Sequence, residues 1–262
     1  MVLLRIRERP GRPVLTSMLG LGVLLCAAGG LGGQNTAEEI VDRVDRMMRG
    51  ESSRGRVEME IVTQHWTRSM VMEISSLGTE HALIRIASPR KDAGTTTLKS
   101  GNEIWNYLPR VDRTIKLPSS LMGSAWMGSH FTNDDLVKEH RLIEDYDIEI
   151  SFEGSRDGVD VWEFRLKPRP EAAVIWDRIS YQVRKSDLMP VWARFYDERD
   201  DLIRTIEWSE YDRSSGRLVP MLMTIEPADK PGESTTVRYT DLAFDVPLTE
   251  ADFSLRTLRS PP

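Results

Sequence analysis

A period of two, repeated along most of the chain after residue 56, constrains the fold more than any other feature. Val57-Met59-Ile61 alternates with Glu58-Glu60, and Met70, Met72 and Ile74 repeat the pattern. Leu83 to Ile86 follows, then Thr95 to Leu98 and Ile104 to Leu108 on either side of Ser100-Gly101-Asn102. The alternation resumes in Ile148-Ile150-Phe152, Val161 to Leu166, Ile179-Tyr181-Val183 and Val191 to Tyr196. Ile203-Thr205-Glu207, Leu218 to Ile225 and Thr235 to Leu242 complete it. Alternate residues of a strand share one face of a sheet, so these runs read as about eleven or twelve half-buried strands. Short polar turns between consecutive runs make antiparallel neighbours the simplest arrangement. No βαβ period appears, and no repeat of about 20 to 50 residues points to a propeller.

Such a sheet cannot bury one face by itself. It closes into a barrel, splits into a sandwich, or curls around a helix. A helix is available at Thr36 to Arg49. Thr36 and Glu39 have capping-box spacing, Ile40, Val41, Val44, Met47 and Met48 share a face, and Gly50 follows as a stop. A second helix is predicted near residues 132–140. The expected class is therefore mainly β with some α: a large curved antiparallel sheet or half-open barrel, with short helices closing its concave face.

The 262 residues, 40% hydrophobic and 29% charged, suit one globular domain rather than a disordered chain. The net charge is −6, and Arg5, Arg7, Arg9 and Arg12 make the N-terminus basic, so the body is more acidic still. An acidic body argues against nucleic-acid binding, which needs a basic patch for phosphates. After Arg12 an uncharged apolar run thins into Ala27-Ala28-Gly29-Gly30, the order of a secretory signal peptide. An uncleaved membrane anchor is the alternative. Residues 1–33 are read as the signal and 34–262 as one domain, exported to a periplasm. Cys26 is the only cysteine and lies within the signal, preceded by Leu25 where a lipidation site takes a small residue. Cleavage after it leaves a body with no thiol chemistry.

Signals for catalysis are sparse. His65, His81, His130 and His140 show no metal-binding spacing, and His130 near Asp134 and Asp135 reads better as a helix start than as a metal site. Ser88-Pro89-Arg90-Lys91 matches a β-lactamase motif by letter only, since its partner motifs are missing. Neither a metal nor a cofactor is expected. The informative stretch runs from Trp105 to Leu136. An aromatic strand with Trp105 and Tyr107 ends at Pro109, and a basic turn follows with Arg110, Arg113 and Lys116. Then comes an irregular segment holding Leu121, Met122, Trp126, Met127 and Phe131. Methionine and tryptophan in a glycine-containing loop suit an adaptable apolar surface, or a lid that only covers the core. The basic residues suit an anionic head group or a partner's acidic patch, or simply a solvated turn.

The string Met127-Gly128-Ser129-x-Phe131-Thr132-x-x-Asp135-Leu136, together with Asp252-Phe253-Ser254-Leu255-Arg256-x-Leu258, resembles the outer-membrane lipoprotein-sorting family, in the LolA-like branch. His130 departs from that pattern, which usually has Asp there. The resemblance implies a half-barrel of about eleven strands closed by helices over a cavity for acyl chains. It also implies a non-enzymatic carrier of a lipoprotein or other envelope lipid, with an inner-membrane transporter and an outer-membrane acceptor as partners. Trp105, Tyr107, Leu121, Met122, Trp126, Met127 and Phe131 are the candidates for cavity or gate. Arg110, Arg113 and Lys116 are the candidates for head-group or partner contact. A non-carrying sensor or accessory subunit is the competing reading, and a lipid or cell-wall hydrolase is the third.

Overall fold

The computed structural model describes residues 36–138 and 141–260. The signal-peptide reading, Cys26 and His140 lie outside these residues. Among the described residues thirteen strands form one antiparallel sheet. The first six are β1 (Ser52–Val62), β2 (Thr67–Leu77), β3 (His81–Ser88), β4 (Thr96–Ser100), β5 (Glu103–Leu108) and β6 (Arg113–Lys116). The next four are β7 (Tyr146–Arg156), β8 (Val159–Pro168), β9 (Arg178–Arg184) and β10 (Pro190–Tyr196). The last three are β11 (Leu202–Ser214), β12 (Arg217–Pro227) and β13 (Ser234–Phe244). The α-helices among the described residues are α1 (Ala37–Arg49), α2 (Asn133–Lys138), α3 (Leu142–Asp145) and α4 (Leu255–Arg259).

The strand order is β6-β5-β4-β3-β2-β1-β13-β12-β11-β10-β9-β8-β7. The sheet is thus two meanders joined where β1 pairs with β13, and among the described residues its free edges are β6 and β7. The sheet is not closed. The chain from Leu117 to Asp145 links the two edges, so the irregular stretch of the sequence is the connection across the opening.

Cross-strand register assembles one apolar face. Met70, Met59, Val237, Met223 and Trp208 stand opposite one another across five strands. Two residues along, Ile225, Ile206, Ala193, Tyr181 and Phe164 form a matching row. Helix α1 covers the second of these regions. It starts with Thr36 accepting the Glu39 N–H at 3.1 Å while Glu39 accepts the Thr36 N–H at 2.9 Å, and ends at Gly50 with φ +66°. Its buried face, Ile40, Val41 and Val44, packs on Phe164, Leu166, Ile179, Tyr181 and Ala193. Burying each such side chain is worth about 1.5–3 kcal/mol, which is what holds a helix too short to persist alone. The opposite face of β3–β5 is covered too. Leu83 and Leu98 lie there beneath Phe253 and Leu258 of the C-terminal segment, the closing motif of the sequence.

Candidate functional site

The connection between the sheet edges folds as a lid on the concave face, and each residue of its motif has a local task. Ala125 and Thr132 pair as a short β-bridge, and the Trp126 N–H donates to the Phe131 carbonyl at 2.8 Å. Between them Trp126-Met127-Gly128-Ser129 turns back with φ +53° at Met127 and +79° at Gly128, closed by the Ser129 N–H on the Trp126 carbonyl at 2.9 Å. Two consecutive positive φ angles define the type I′ turn, hence the glycine. The Ser129 hydroxyl donates to the same carbonyl at 2.7 Å. Thr132 and Asp135 exchange bonds of 2.7 and 3.1 Å at the start of α2, and Asn133 Nδ2 ties down the carbonyls of Leu121 and Ser124 at 3.0 Å each.

Three anchors hold this lid to the sheet. Trp126, only 4% exposed, is buried among Val57, Met59, Ile61, Met70, Met72, Ile86 and Val237, and its indole N–H donates to the Thr97 hydroxyl at 3.3 Å. His130 is the second. Its backbone N–H donates to Thr235 Oγ1 at 3.1 Å, and its ring meets that oxygen at 2.8 Å and Glu233 Oε2 at 3.2 Å. The Glu233 carboxylate can only accept, so Nε2 carries the hydrogen that meets it. The Gln64 backbone N–H and then His130 hold the Glu233 carboxyl below the usual carboxylate range.

The third anchor is Arg204 of β11, 3% exposed. Its Nη1 and Nη2 meet Asp135 Oδ2 and Oδ1 at 2.6 Å each, and Nη1 also donates to the His130 carbonyl at 3.0 Å. The guanidinium lies 4.4 Å from the ring centres of both Trp176 and Phe195. A paired, stacked and bidentate arginine is the form in which this charge tolerates burial.

Between α1, the lid and the sheet lies a cavity of about 180 Å³. That is roughly a dozen times the space that seats one water. Val41, Val44 and Met48 line it from the helix, Phe131, Asp135 and Leu136 from the lid, and Tyr181, Ala193, Phe195, Ile206, Trp208 and Met223 from the sheet. Its polar lining comes mainly from Arg204 and from Asp45, Asp134 and Asp135.

Of the residues singled out in the sequence, Phe131 lines this cavity. Trp126 and Met127 pack instead against the neighbouring core beneath β1, β2 and β13. Leu121 is exposed and Met122 half-buried, with the Met122 carbonyl accepting the Asp134 N–H at 2.9 Å. Trp105 and Tyr107 lie on the opposite face of the sheet, against the C-terminal cluster. Arg113 and Lys116 begin and end edge strand β6, where the sequence pattern predicts a turn, and Arg110 is in the short 3-10 turn before it. All three are exposed, and Lys116 pairs with Glu103 and sits 5.4 Å from the Trp105 ring centre. Sequence reasoning missed Arg204, Trp176 and Phe195. The available signal was a charged residue two before Ile206, in phase with the inward face of β11.

Among the described residues no group of three or more metal-ligand types gathers, and no helix is long and apolar enough to cross a membrane. Among curated proteins none matches this chain. Solved structures do. An outer membrane lipoprotein-sorting protein domain from Vibrio parahaemolyticus is 23% identical with a TM-score of 0.76, covering 86% of this chain and 98% of its own. A DUF1329 family protein from Desulfovibrio piger is 22% identical with a TM-score of 0.77, over 85% of this chain and 97% of its own. A LolA superfamily protein from Nitrosomonas europaea is 22% identical with a TM-score of 0.73, over 85% and 99%. A family model described as "uncharacterized protein" matches residues 78–260. The chain therefore belongs to the family that this model describes, and it is built on the LolA-like fold.

Proposed function

We propose that this protein is a non-enzymatic periplasmic carrier that shelters the acyl chains of a lipoprotein or another envelope lipid. Residues 1–33 direct export, and 34–262 form the carrying domain. The observation that carries the reading is the apolar cavity of about 180 Å³ between a curved sheet and a lid that crosses its opening. Sheltering hydrocarbon there recovers about 0.8 kcal/mol per methylene, and release requires only that the lid or α1 move. An inner-membrane transporter would load the cavity, and an outer-membrane acceptor would empty it. Protein purified from its native envelope is expected to carry lipid detectable by mass spectrometry after denaturation. Protein recovered free of lipid, and unable to take up acyl chains afterwards, would overturn the carrier reading.

One observation favours a second reading, a sensor or accessory module that grips a partner. Val111, Ile115 and Leu121 are 60%, 41% and 43% exposed, close together in sequence at the β6 edge. An edge strand with exposed apolar residues is a template for another chain. A carrier needs such a surface for its transporter as well, so lipid content decides between the two.

A further inference from the structure

The lid is fastened by three anchors, so a cargo tail that entered beneath it would have to undo buried contacts. Trp126 would leave seven apolar neighbours, and Arg204 would lose the Asp135 carboxylate at 2.6 Å. A second hollow, of about 270 Å³, offers another way in. It lies along α1 and α3, lined by Asp42, Arg46, Arg49, Thr79, Ile143 and Glu144 among others. Val41, Asp45 and Leu142 line both this groove and the apolar cavity, so the wall between the two is a single layer of side chains.

The contacts along that wall differ in kind from those on the lid. Arg46 pairs with Asp42 at 2.7 Å and Arg49 with Asp45 at 3.2 Å, both within α1. Arg141, just before α3, pairs with Glu144 at 3.0 Å and Asp145 at 3.4 Å. Pairs made within one helix survive when two helices part. Arg141 also reaches Glu80, beside Thr79, but at 4.0 Å and with Glu80 half exposed, where such a contact holds little. Helix α3 is four residues long and rests on the half-buried Leu142 and Ile143. A helix that short has no stability of its own and moves with its packing. The walls also divide as an amphipathic cargo needs, apolar in the cavity and charged in the groove. We propose that α1 and α3 form the portal, and that the acyl tail passes between Val41 and Leu142 while the lid stays fastened. This rests on the carrier reading and assigns the route its cargo takes.

The test follows uptake of methyl 11-bromoundecanoate by stopped flow, since bromine quenches the indoles of Trp176 and Trp208 in the cavity wall. With Cys26→Ser in place, Thr79→Cys gives the chain a sole thiol on the groove wall. A polymer maleimide attached there obstructs the groove at a residue that does not line the cavity. The same folded protein serves before and after labelling. Uptake and release should both slow about tenfold with the dissociation constant unchanged, because an obstacle on the path raises only the transition state. The same polymer at Gly123→Cys, on the lid where a Cβ meets open space, should leave both rates within about twofold of the unlabelled protein. Rates indifferent to the Thr79 label, rates slowed as much from the lid, or a label that weakens affinity would overturn the portal and leave carriage standing. If the probe quenches nothing even before labelling, the carrier reading falls and the portal with it.

Discussion

The two halves of the concave face are built from similar strands but closed in different ways. Beneath β1, β2 and β13 the lid inserts Trp126 among seven buried apolar residues, and its indole N–H finds Thr97. Beneath β9, β10 and β11 the cover is α1, and between helix, lid and sheet about 180 Å³ remains unfilled. A protein interior is normally packed to crystal density, so a filled half beside an unfilled half separates a clamp from a site. Asp135 and Arg204 lie on the boundary. The lid contributes the carboxylate and the cavity wall the guanidinium, so the latch of one half is also part of the lining of the other.

The largest effect should come from that boundary. Asp135→Ala leaves a guanidinium that is 3% exposed without its counter-ion and also removes the carboxylate that accepts the Thr132 N–H at the start of α2. Breaking a buried pair from one side costs about 3–5 kcal/mol. Urea unfolding is expected to show a loss of that size, and Asp135→Leu with Arg204→Met should recover most of it because no unpaired charge remains. A single variant no worse than the double would mean that the latch does not hold the lid.

The same enlargement made in each half tests the contrast directly. Val57→Phe adds volume to the filled half and should cost about 1–3 kcal/mol through overpacking. Val44→Phe, on the α1 face that lines the cavity, has room to enter and should cost less than about 1 kcal/mol. It should also displace bound acyl chains. Equal costs at the two positions would remove the distinction between clamp and site.

A smaller difference separates two glycines of the lid. Gly128, at φ +79°, has only the Trp66 ring near its missing Cβ, at 3.8 Å, so Gly128→Ala tests backbone strain and not crowding. A left-handed alanine costs about 1–2 kcal/mol. Gly123 has open space and no left-handed φ, so Gly123→Ala should be neutral or stabilise by up to about 1 kcal/mol. Thermal unfolding of the pair would show whether the type I′ turn sets the position of Trp126.

Much of this architecture was legible because its signals are local. The Thr36–Glu39 box, the Gly50 stop and the Gly101 turn follow from residues three or four apart, and the alternation delivered twelve of the strands. The thirteenth, β6, escaped because Arg113-Thr114-Ile115-Lys116 has charged ends, as a protected edge strand does, and so resembles a turn. The site was less legible because alternation has two phases and does not say which faces the cavity. In β11 the sequence pattern picks out Ile203, Thr205 and Glu207, whereas Arg204, Ile206 and Trp208 line the interior. In β5 both phases are covered, so Trp105 and Tyr107 are half-buried without approaching the cavity. Arg204 and Asp135 are 69 residues apart, and only the fold joins them.

The smallest expected effect concerns the lid's outer anchor and its pH dependence. Glu233 accepts from the Gln64 backbone N–H at 3.1 Å and meets His130 Nε2 at 3.2 Å, both favouring the carboxylate. Its pKa in the folded protein is therefore below its value in the unfolded chain. The unfolded state then binds more protons as the solution is acidified. The stabilisation is complete above the unfolded value, about 4.3, and is lost as the pH falls through the lower folded value. Glu233→Gln removes that titration and keeps one of the two accepting oxygens, since Gln64 and His130 meet different ones. Stability of the wild type should thus decline more steeply than that of the variant below about pH 4, while the two run parallel above about pH 5. Curves that stay parallel below about pH 4 as well would mean that the Glu233 carboxylate does not hold the lid's outer anchor.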